Sequence, residues 1–157
     1  MTPSKLYHED FYSWALAEAE RIRSLPDMTP IDRDNVAEEI ASLARRHKRE
    51  VESQIQVLLS SLIRRNFLGA GGEIDAQVNH ALFEINNWFD PGMRDDLRLD
   101  RCWAGARREV AIDFPDARAG EAQSSGCPLA VEDLLAKEPD FDALARKVAD
   151  HLAGPST

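Results

Sequence analysis

At 157 residues and a formal charge of −9, the chain is long enough to close one hydrophobic core. It is too acidic to offer phosphate backbones a broad surface, since each such contact needs a cation. Two cysteines, Cys102 and Cys127, are too few for a disulfide framework and lack the paired spacing of a zinc site. No apolar run approaches the roughly 20 residues of a bilayer span, and no charged-then-apolar leader opens the sequence. A single domain over 1–157 with reduced thiols, in the cytoplasm and without membrane or nucleic-acid partners, is the expectation. The acidity is uneven: from Asp113 onward nine acidic and four basic side chains leave −5, against −4 for everything before.

Taken in chain order, the apolar residues Phe11, Trp14, Ala15, Ala19, Ile22 and Leu25 recur at steps of three or four and predict a helix over 10–25. Pro26 stops it. Val36, Ile40, Leu43, His47, Val51, Ile55, Leu58 and Leu62 then mark one long helix over about 32–65, with no glycine or proline from Ile31 to Leu68. Asp32 suits its N-cap, and "GAGG" (69–72) breaks it. Ile74, Val78, Leu82, Ile85 and Phe89 predict a third helix ended by "DPGM" (90–93), and Leu99, Trp103, Ala106 and Val110 a fourth. Residues 116–128 read as a loop, followed by short helices over 131–136 and 141–152, and no alternating run of strand length occurs. Stripes of this width are buried against other helices when no sheet is available. The expected fold is therefore all-α: an antiparallel bundle of about five or six helices around the long central one.

The stretch "DRDNVAEEIASLARRHKRE" (32–50) collects carboxylates, a histidine and a basic block. At 100° per residue Glu38 and Glu39 diverge, so they fail as a paired-carboxylate dyad. His47 occupies a stripe position, either as a core histidine bonded to a neighbour or as an acid/base group. The block "RRHKR" (45–49) wraps the helix and reads as a solvated face. "RKVADH" (146–151) spaces Arg146 and His151 as in a helical ribonuclease motif, with Lys147 departing from it. Cys127-Pro128 is explained by helix entry rather than haem ligation, and no motif implies a cofactor or a metal.

"YHEDFYSW" (7–14), "DRDNVAEEIASL" (32–43), "PGMR" (91–94) and "CPLAVEDLL" (127–135) together resemble a widespread bacterial family of short all-helical proteins catalogued as a domain of unknown function. The resemblance covers about 7–135 and leaves an acidic helical extension over 136–157. Ser61 stands where that family often has histidine, and His47 where another polar residue is usual. The resemblance implies an all-α protein and no particular activity. Its motifs draw attention to Tyr7, Asp10, Trp14, Asn35, Glu39 and Arg107, beside His47, as a polar cluster or pocket. Asp10 and Asn35 also suit helix starts, and Glu39 with Arg107 an interhelical ion pair.

Leu58, Leu59, Leu62 and Ile63 cover more than one narrow stripe, so two helix faces need cover. The leading expectation is a non-enzymatic helical interaction module, self-associating or bound to a protein partner, with neutralisation of a basic partner as a sub-case. The alternative is a nuclease or other hydrolase using His47 or Arg146 with His151.

Overall fold

The computed structural model describes residues 3–26, 30–118 and 126–153. Seven α-helices are found among them: α1 (Pro3–Glu9), α2 (Phe11–Arg23), α3 (Arg33–Leu68), α4 (Gly72–Trp88), α5 (Leu99–Val110), α6 (Val131–Leu134) and α7 (Phe141–Ala153). Two 3₁₀ turns, Pro91–Asp96 and Pro115–Arg118, complete the set, and no strand occurs among the described residues. The all-α expectation and its long helix hold. Helix α1 went unforeseen because seven residues carry no full stripe. The expected 116–128 loop begins with a 3₁₀ turn, and its residues 119–125 lie outside the described ones.

The chain forms two compact units. The first comprises Met1–Glu50 and Trp88–Leu97, the second Val51–Asn87 and Arg98–Thr157. Helix α3 thus gives its first half to one unit and its second half to the other.

In the first unit α2 meets α3 through small residues: Ala19, Ala37 and Ala41 form a buried cluster with Ile22 and Ile40 packed against it. Arg23 bonds Glu38 at 3.4 Å while Phe11 reaches His47 at a ring distance of 5.5 Å, so the two helices run antiparallel. This corrects the expected core stripe. Val36 and Leu43 are exposed, at 39% and 41%, while Ala37, Ala41 and Ala44 are buried. Alanines let two backbones approach closely, so the helix turns its smallest side chains inward and leaves the larger ones outside.

In the second unit the expected stripe residues Val51, Ile55, Leu58 and Leu62 are fully enclosed, and so are Leu59 and Ile63, so the second apolar face that needed cover is covered within the chain. Gly69, at φ +85, ends α3 in the left-handed conformation, its N–H donating to the Arg65 carbonyl at 2.9 Å. The chain then reverses: Arg65 pairs with Asp75 at 2.8 Å and Ser61 with Gln77 at 3.4 Å, the register of an antiparallel pair. Helix α5 returns parallel to α3, since Arg98 N–H donates to Glu52 at 3.0 Å and Ser60 bonds Glu109 at 3.1 Å. This alternation is that of an up-down-up bundle. Arg65 also reaches Asp142 of α7 at 2.7 Å, and the two carboxylates hold its guanidinium more firmly protonated than usual.

Candidate functional site

Helix α2 begins at Asp10, whose Oδ1 accepts the Ser13 N–H at 2.9 Å. Its Oδ2 accepts the Ser13 hydroxyl at 2.9 Å and, from far along the chain, the Gly92 N–H at 2.8 Å. Asp90 repays the contact, its Oδ2 accepting the Tyr12 N–H at 2.9 Å. The N-terminus of each helical segment, α2 and the 3₁₀ turn, is therefore capped by the other's aspartate. Tyr12 adds a bond from its hydroxyl to Asp96 at 2.6 Å. Gly92 is required by space: a Cβ there would stand 1.8 Å from Ser13 Oγ and 2.7 Å from Asp10 Oδ2.

Beside this double cap lies an open cleft of about 370 Å³ lined by Phe11, Leu43, Arg46, His47, Glu50 and Trp88. His47 packs between aromatic rings, 5.5 Å from both Phe11 and Trp88. Its Nε2 lies 3.1 Å from Asp90 Oδ2 but is not aligned as a hydrogen bond, and the atom is buried. Burial pushes the Asp90 carboxyl above its ordinary range. The Tyr12 N–H and His47 oppose that shift, and the nearby Asp10 charge adds to it.

The sequence-derived residues fall as follows. Tyr7 and Trp14 join Phe11 in an aromatic cluster, with Tyr7 and Trp14 edge-on at 4.7 Å. Asp10 is the cap already described. Asn35 is exposed and bonds Asp32 through its side-chain amide at 2.6 Å, a surface turn at the start of α3. Glu39 is exposed, away from any core stripe. Arg107 belongs to the second unit, where it is buried, donates from Nε to the Ala117 carbonyl at 3.0 Å and lies over Trp103. Of the seven, only Tyr7, Asp10, Trp14 and His47 share a neighbourhood. Phe11, Trp88 and Asp90 are the companions of His47, and the sequence marks none of them as such; Asp90 stands out there only within the helix stop "DPGM".

The hydrolase residues do not converge. Arg146 is exposed on α7 beside Asp140 at 4.0 Å, while the His151 ring packs edge-on against Trp103 at 5.6 Å. The two positions lie about 140° apart around the helix. Cys102 and Cys127 are free, and burial raises their thiols to about 12 and about 11. Among the described residues no group of three His, Cys, Asp or Glu is placed to hold a metal ion, and no helix is long and apolar enough to cross a membrane.

Fold and site together define a small all-helical protein with a side cleft in its first unit. The chain belongs to the family described as "Domain of unknown function DUF29", which it matches over residues 6–139. It is similar in fold to the crystal structure of an alpha-helical protein of unknown function from Rhodospirillum rubrum. The two share 24% identity and a TM-score of 0.72, over 95% of this chain and 98% of that one. Among curated proteins, none matches.

Proposed function

We propose that the protein is a non-enzymatic interaction module whose first unit receives a helix of a protein partner, and that it works in the cytoplasm. The observation carrying this reading is the cleft's construction on α3. Leu43, Arg46, His47 and Glu50 stand at i, i+3, i+4 and i+7, the four corners of the hole that accepts a knob from a facing helix. Phe11 and Trp88 close its sides, Trp88 still 41% exposed. Val36 and Leu43, on the same stripe, extend an apolar track beyond the cleft. A small anion is disfavoured as occupant, because the N–H groups of α2 are already taken by Asp10 and Asp90. Two unpaired cysteines suit a reducing compartment.

The test compares complexes recovered from native lysate by the wild-type protein, by Leu43→Glu, and by Phe83→Glu, whose side chain is 64% exposed in the second unit. Thermal unfolding of each serves as the folding control. The reading expects Leu43→Glu to lose partners that Phe83→Glu retains. Identical recovery by all three overturns it.

A further inference from the structure

Resting on that reading, we infer that the helix received by the cleft is α3 of a second copy of this chain, running antiparallel about a two-fold axis near Leu43. The charges beside the track carry the argument. Taking Leu43 as origin on a wheel of 100° per residue, Val36 and His47 lie about 20° and 40° to one side. Glu39 and Arg46 lie about 40° and 60° to the other. Both are exposed, and among the described residues neither has an ion-pair partner. Elsewhere on the same helix Glu38 is engaged by both Arg23 and Arg45. One acidic and one basic residue, seven apart on one flank of an apolar track, form a self-complementary pattern.

A two-fold interface places residue i against j and j against i, so opposite charges at two positions of one flank satisfy each other only when the helices are antiparallel. With Leu43 facing Leu43 of the second copy, Glu39 comes within one residue, about 1.5 Å along the axis, of the level of Arg46 on the same side of the seam, in both directions. Val36 then comes opposite Glu50, so Val36, Ile40 and Leu43 of the second copy lie over the cleft between Leu43 and Glu50. A parallel pairing would put this flank of the two copies on opposite sides of the seam, each against the Val36 and His47 flank, so Glu39 and Arg46 would not meet. The seam from Val36 to Glu50 is about 21 Å long. Such a seam belongs to the small class of interfaces, so association is reversible and on the order of micromolar.

The experiment is sedimentation equilibrium of the full chain from about 1 to 500 μM, a span bracketing that affinity. Wild type is expected to show a monomer–dimer equilibrium. Glu39→Arg and Arg46→Glu, both at exposed positions, each set like charges opposite one another twice and should weaken dimerisation about tenfold or more. Mixed in equal amounts, the two variants should recover association as a heterodimer, because every charge then meets its opposite, and the double exchange should recover it within one chain. A monomeric wild type across the range overturns the inference, as does a mixture that associates no better than its components. In either case the docking reading survives if Leu43→Glu loses complexes that wild type recovers, and falls with the inference if it does not.

Discussion

Replacing Gly92 by alanine probes the double cap directly. The new methyl group would lie 1.8 Å from Ser13 Oγ and 2.7 Å from Asp10 Oδ2, so the hydroxyl must rotate away and the carboxylate must withdraw. Withdrawal loosens the Gly92 N–H bond at 2.8 Å and the Ser13 N–H bond at 2.9 Å, both to an ionisable acceptor. Hydrogen bonds to charged groups contribute about 1.5–3 kcal/mol, and loss of a helix N-cap costs about 0.5–2 kcal/mol. Because the groups are part-exposed and water can replace some contacts, the expected loss is about 2–4 kcal/mol. Urea unfolding followed by circular dichroism measures it. Ser13→Ala should cost less than about 1 kcal/mol alone, and combined with Gly92→Ala it should recover part of the loss by removing the closest contact. If Gly92→Ala costs under about 0.5 kcal/mol, or if the double variant is additive, the clash does not govern this position and the cap argument is refuted.

Other outcomes follow from the same contacts. Gly105→Ala looks similar on paper, with Gln56 Oε1 2.4 Å from the new Cβ. That neighbour is the free end of a flexible side chain, and alanine favours the helix, so unfolding should shift by less than about 1 kcal/mol. The Asp90 carboxyl is raised above its unfolded value of 3.8, so the folded state holds the proton more tightly and Asp90's contribution to stability falls as pH rises from 3.8 through the folded value. Unfolding from about pH 3 to 7 should show this decline in wild type and not in Asp90→Asn. Asp133 has the opposite sign. Burial pushes its carboxyl up, but bonds from Lys147 and Ala130 outweigh that and hold it below 3.8, so its contribution is present above 3.8 and lost as pH falls through the depressed value. Asp133→Asn should therefore lose stability at neutral pH and little in acid. Finally, thiols raised to about 12 and about 11 react slowly in the folded protein. A chromogenic thiol reagent near pH 8 should label both cysteines promptly only after denaturation.

Much of the fold was legible because helical stripes survive in sequence: α5 and α7 end within a residue of their expected limits. The first half of α3 misled because two faces compete there. Its larger apolar residues repeat cleanly, but alanines at 37, 41 and 44 win the core through close approach, a geometric advantage that hydrophobicity patterns do not weigh. Glu39, on the flank of that stripe, is exposed. Asp10 was legible as a cap. Its partnership with Gly92 and Asp90 was not, since the bonds join residues about 80 positions apart and a single sequence carries no signal for such a meeting. His47 stands out in the sequence as an imidazole at an apolar stripe position, while nothing there marks Trp88 as its companion.

The double cap also orders events at the ribosome. The first unit draws on two stretches of chain separated by residues 51–87, and the bonds that complete α2 arrive only with Asp90 and Gly92. While the nascent chain is shorter than that, the Tyr12 N–H lacks its acceptor and the α2 and α3 pair rests mainly on its alanine contact. Helix α2 is therefore finished late relative to its own synthesis, its capping closing only after the α3–α4 hairpin has been synthesised.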